Sequence, residues 1–149
     1  MKMKSDMANR QERREANPSS EDLSASSAKA ILIVEDETSI RRLLVSLLSA
    51  EGYRIQSVAD GTLAIRILED DPEIDLVLTD LAMPGIPGTA VAEYLSRTRP
   101  QVKVVCMSGN PQPHEKSLRK LLERRLVDFL PKPFTPVQVL QMVKRLLEL

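Results

Sequence analysis

Asp80 closes an apolar run, Asp75-Leu-Val-Leu-Thr-Asp80, and is followed at once by Leu81-Ala-Met-Pro-Gly85. A second apolar run, Ala30-Ile-Leu-Ile-Val34, stops in the same way on Glu35-Asp36-Glu37. If both runs are parallel strands, their acids meet at the C-terminal rim of the sheet, where open α/β sheets bind ligands. Like charges at short range resist full ionisation unless a cation neutralises them. A hard divalent ion with oxygen ligands, Mg2+ first, suits such a set. Two more runs finish on functional side chains: Ser108 in Met107-Ser-Gly109, and Lys132 in Phe129-Leu-Pro-Lys-Pro-Phe134. Three acids, a hydroxyl and a lysine around one crevice suit phosphoryl transfer to a carboxylate, because cations and a hydroxyl donor stabilise the phosphoryl oxygens. Asp80 is the nucleophile candidate, since a carboxylate can form an acyl phosphate.

The elements that must position these groups follow from the hydrophobic pattern. Strands are expected at 30–34, 53–58, 75–79, 102–107 and 127–130, with helices at 38–50, 62–70, 88–98, 115–125 and 135–148. Ile40, Leu43, Leu44, Leu47 and Leu48 recur at helical spacing, and Gly52 is placed to end that helix. Thr135 is a candidate N-cap, with Pro136 at the first helical position. Strict β-α alternation predicts a parallel sheet covered on both faces. Right-handed crossovers then favour a flavodoxin-like, doubly wound (βα)5 fold with strand order 2-1-3-4-5.

A chain of 149 residues with 42% apolar and 28% charged residues fits one soluble domain. Residues 1–28 are polar and lack apolar periodicity, so they are expected to form a disordered tail ahead of a domain at 29–149. Zero formal net charge supplies no global attraction to nucleic acid or to a membrane. One cysteine and one histidine, Cys106 and His114, exclude an intramolecular disulfide and a zinc cluster. Cys106 is expected to be buried as a small hydrophobe, and His114 to lie on a surface loop. The N-terminus has no apolar signal region, and no apolar run reaches membrane-spanning length, which predicts a cytoplasmic protein.

Four segments together resemble the receiver domains of two-component response regulators. They are Ile31-Leu-Ile-Val-Glu-Asp-Glu37, Leu76-Val-Leu-Thr-Asp-Leu-Ala-Met-Pro-Gly85, Val104-Val-Cys-Met-Ser-Gly109 and Phe129-Leu-Pro-Lys-Pro-Phe134. The resemblance implies that Asp80 accepts phosphoryl from a histidine kinase or a histidine phosphotransfer protein. It implies Mg2+ ligation by Asp36, Asp80 and the backbone carbonyl of Ala82, with Glu35 acting through water. Ser108 would hold a phosphoryl oxygen, Lys132 would pair with the phosphate, and Phe129 would be the switch aromatic. The bond Lys132–Pro133 would be cis. Docking to the phosphoryl donor would use Ile40, Leu43, Pro133 and Phe134, although Ile40 also reads as plain core.

Three positions depart from the commonest family pattern. Ser108 stands where Thr is frequent, and Phe129 has no hydroxyl to donate. Ala82, which with Asn110 flanks the phosphoryl site in the family, offers no side-chain hydrogen bond to an attacking water. A long-lived acyl phosphate is expected. The chain stops after the last helical pattern, so output is expected to be a docking event or a phosphorelay step rather than the work of a linked effector.

The fourth helical pattern carries Lys116, Arg119, Lys120, Arg124 and Arg125 around Leu118, Leu121 and Leu122. It reads as a solvated basic face, or as the seat of an acidic partner or a second copy on the surface formed by helix 4, strand 5 and helix 5. Wording such as Met83-Pro-Gly-Ile-Pro-Gly88 is similar to receivers at the ends of hybrid kinases. Two other readings compete: an interaction module that no longer uses phosphorylation, and a Mg2+-dependent phosphohydrolase. No motif supplies the latter with a substrate pocket, and no P-loop or dinucleotide fingerprint is present.

Overall fold

In a computed structural model, residues 28–110 and 115–148 are described. The expected tail and His114 lie outside the described residues. The strands are β1 (Ala30–Val34), β2 (Arg54–Val58), β3 (Leu76–Asp80), β4 (Lys103–Ser108) and β5 (Asp128–Pro131). The helices are α1 (Thr38–Ala50), α2 (Gly61–Asp70), α3 (Gly88–Thr98), α4 (Glu115–Glu123) and α5 (Pro136–Leu147). All strand pairs are parallel, and the order is β2-β1-β3-β4-β5. The doubly wound fold expected from β-α alternation is the one observed.

Strand side chains alternate between two cores, as the two-residue period requires. Ala30, Leu32, Val34, Val77, Val104 and Cys106 pack with α2, α3 and α4. Ile31, Ile33, Leu76, Leu78, Val105 and Met107 pack with α1 and α5. Every residue of β1 and β3 is buried, which explains the unbroken apolar runs Ala30–Val34 and Leu76–Leu78.

Helix ends follow local chemistry. The Gly52 and Tyr53 amides donate to the Ser49 and Leu48 carbonyls, with Gly52 at φ 96°, a Schellman closure of α1. Thr135 caps α5 through a reciprocal capping box with Gln138. The fourth helix ends at Glu123 rather than at 125. Arg125 takes a left-handed φ of 57°, and its amide and that of Leu126 donate to the Leu122 and Leu121 carbonyls. No glycine marks that stop, so the apolar spacing overran it. The last three strands begin and end one residue later than expected. Asp80 and Ser108 are thus the final residues of their strands and take their direction from the sheet.

Candidate phosphoryl-acceptor site

Register decides which strand-end side chains share a face. Ile33 pairs with Leu78 and Val34 with Thr79, so continuing the ladder sets Glu35 beside Asp80. Glu35 keeps the parity of Ile31 and Ile33, Asp80 that of Leu76 and Leu78, and Lys132 that of Leu130. All these neighbours belong to the core under α1 and α5. The Lys132 ammonium accordingly lies 3.0 Å from a Glu35 oxygen and 3.4 Å from an Asp80 oxygen. Its bond to Pro133 is cis.

Glu35, Asp36 and Asp80 each place a carboxylate oxygen within 4.8 Å of the others. Glu35 is 0% exposed and Asp80 5% exposed, while Asp36 faces solvent. Burial pushes the Glu35 carboxyl above its usual range, against the pull of the Glu37 amide and of Lys132. Burial likewise raises Asp80, with Asp36 repelling it, although Lys132 and the Ala82 amide oppose the rise. Burial works against the Lys132 charge, but the Glu35 and Asp80 carboxylates outweigh it and hold the ammonium above its ordinary value. Two buried acids and one exposed acid share a single lysine, so the pocket remains electron-rich. Oxygen donors at this mutual spacing fit a hard cation whose own ligand distances are about 2.1 Å.

The surrounding backbone holds the acids in place. The Glu37 amide donates to Glu35 Oε2 at 3.1 Å, and Arg41 donates to the Glu35 carbonyl at 2.8 Å. Gly88 begins α3 so close to β3 that a Cβ there would stand 2.2 Å from the Asp80 carbonyl. A Cβ on Gly61 would stand 2.5 Å from the Ile86 carbonyl, so the loop carrying Ala82 is braced on the start of α2. Sequence reasoning missed Arg41, Gly61 and Gly88. Only the two glycines carried a signal, each standing at the start of a helix.

The other expected residues fall as follows. Ser108 is 4% exposed at the end of β4, and its Oγ accepts the Asn110 amide at 3.0 Å. Phe129 is half-buried against the core under α4. Ala82 is exposed in the loop after β3. Ile40, Leu43, Pro133 and Phe134 are brought together with Gly109 and Lys132 around a groove of about 420 Å³, in which Leu43 is 49% exposed. Cys106 is fully buried, and burial pushes its thiol up to about 12.

A family profile described as the response regulator receiver domain matches residues 31–144. Sensor kinase CckA of Brucella abortus is 35% identical over 128 residues, which are 85% of this chain and 13% of that protein. Aerobic respiration control protein ArcA of Escherichia coli is 35% identical over 117 residues, 78% of this chain and 48% of ArcA. The chain therefore spans less than half the length of either relative. Among solved structures, the receiver domain of hybrid histidine kinase CckA is 34% identical at a TM-score of 0.64, covering 79% of this chain and 98% of that one. The response regulator TrrA of Thermotoga maritima, solved in complex with Mg2+ and BeF, is 30% identical at a TM-score of 0.69, covering 80% and 99%. With fold, strand-end acids and profile in agreement, the chain belongs to the response regulator receiver domain family.

Proposed function

We propose that this chain is a phosphoryl-accepting signalling module whose acceptor is Asp80. The single observation carrying the reading is the placement of a buried, strand-terminal carboxylate beside two other acids and 3.4 Å from an ammonium. Asp36, Asp80 and the Ala82 carbonyl would hold Mg2+, with Glu35 reached through water. The bound ion would neutralise the acids and the incoming phosphoryl oxygens. One Asp80 oxygen attacks the phosphorus of a phosphohistidine. The P–N bond breaks, its electron pair returns to the imidazole, and an acyl phosphate forms on Asp80. Lys132, already turned towards Asp80, neutralises a phosphoryl oxygen, and the Ser108 hydroxyl donates to another.

A histidine kinase or histidine phosphotransfer protein is the fitting donor. The apolar groove of Ile40, Leu43, Pro133 and Phe134 beside the acids supports docking there. The signal passes as a population shift, because the phosphoryl oxygens reward one arrangement of Ser108 and Phe129 over another. The surface of α4, β5 and α5, where Phe129 borders a second groove of about 440 Å³ with Gln138 and Met142, then meets a downstream protein or a second copy. No described helix is long and apolar enough to cross a membrane, and a cytoplasmic site of action fits this reading.

Incubation with acetyl phosphate and Mg2+, followed by mass spectrometry, tests the proposal. One phosphoryl group retained on Asp80 supports it. No mass gain points to a phosphorylation-independent module, and continuing release of inorganic phosphate over many turnovers points to a phosphohydrolase.

A further inference from the structure

The basic residues of α4 do not all face the surface shared with β5 and α5. Lys120, Leu121 and Arg124 line a groove of about 330 Å³ whose other wall is Glu93, Ser96 and Arg97 of α3. Leu121 is buried and forms its floor, while Arg97, Lys120 and Arg124 are exposed. None of these three cations forms an ion pair or a hydrogen bond with a described residue. Some other surface cations are paired, Arg54 with Asp71, Lys144 with Glu51 and Arg145 with Asp128, whereas Arg42 on α1 and Arg66 on α2 have no partner among the described residues. A chain of zero net charge thus concentrates three unpaired cations against one carboxylate in a single groove, a local excess of two positive charges.

We infer that the α3–α4 groove docks an acidic segment of a partner protein. Charge complementarity selects that partner, since a carboxylate-bearing chain can pair with Arg97, Lys120 and Arg124 while its amides approach Glu93. A nucleic acid is disfavoured, because its phosphate backbone offers Glu93 no donor, whereas a peptide's amides do. Arg97 lies in the last turn of α3 and Lys120 in the last turn of α4. Helices of a parallel β-α array run back against the strands, so these turns lie at the edge of the sheet opposite Asp80. An occupant of this groove leaves both the acid pocket and the apolar groove of Leu43 and Phe134 open. Docking therefore leaves the phosphoryl donor free to reach Asp80.

Fluorescence anisotropy with a labelled deca-glutamate peptide at low salt, about 50 mM, is the test. The double variant Arg97→Glu/Arg124→Glu is expected to weaken binding about tenfold or more. Arg42→Glu/Arg66→Glu, which makes the same charge change on α1 and α2, should shift it less than about twofold. Amide shifts on peptide addition should fall on Ser96, Arg97, Lys120 and Leu121. If circular dichroism shows that the charge reversal does not fold, Arg97→Gln/Arg124→Gln takes its place. Equal weakening by both double variants overturns the inference, as does tighter binding of a short DNA duplex, or no binding by the unaltered protein.

Discussion

Lys132→Met removes the only ammonium that faces Glu35 and Asp80 among the described residues, while keeping a side chain of similar length. At 3.0 and 3.4 Å, each pairing is worth about 5 kcal/mol of gross attraction at an effective dielectric of 20. The net loss is much smaller, because Glu35 can take up a proton instead. Its ordinary value is 4.5, so protonation at pH 7 costs at most about 3.4 kcal/mol and at pH 5 about 0.7. Removing the ammonium raises the folded pKa of Glu35 further above the unfolded value. Stability from such a group is complete below pH 4.5 and is lost as pH rises. The variant should therefore be less stable by about 2–3 kcal/mol at pH 7 and by under about 1 kcal/mol at pH 5. Urea denaturation followed by far-ultraviolet circular dichroism, in chelator at both pH values, measures this. Added Mg2+ should recover part of the loss at pH 7, since the ion would replace the missing positive charge. An equal loss at both pH values would refute the argument, because it would mean that packing rather than charge had been removed.

Other outcomes follow from the same geometry. Gly61→Ala should destabilise by about 1–3 kcal/mol, because the new methyl meets the Ile86 carbonyl. Mg2+ affinity, measured by titration calorimetry, should fall with it, whereas a net gain in stability from better helix propensity would show that the loop is not braced there. Asp80 phosphorylated by acetyl phosphate should keep its phosphoryl group for minutes after the donor is removed, because Ala82 offers no side-chain hydrogen bond to an attacking water; decay within seconds counts against this. Cys106 should react with a thiol reagent only on unfolding, at a rate that follows denaturant concentration, since its thiol is buried and its pKa stands near 12. Rapid labelling of the native protein would show that β4 opens readily.

Much of the acceptor site was legible because strands announce their own ends. Ala30–Val34 is apolar up to Glu35, and Leu76–Leu78 is apolar with only Thr79 before Asp80, and β-α alternation sends those ends to one rim whatever the details of packing. Cys106 and the Thr135 N-cap were legible for the same local reason, since burial of a short apolar run and a Thr-Pro helix start need no distant partner. Other features depended on the register and azimuth of separated elements. Lys132 reaches Glu35 across 97 residues because β1, β3 and β5 present these residues with one parity, which no spacing along the chain encodes. Arg97 joins Lys120 and Arg124 only through the packing of α3 on α4, and Gly61 matters only because the loop after β3 folds back onto α2. Short-range chemistry therefore named the groups proposed to carry phosphate. Which cation neutralises which acid, and which helix faces pool their charge, were decided when the strands paired and the helices closed over them.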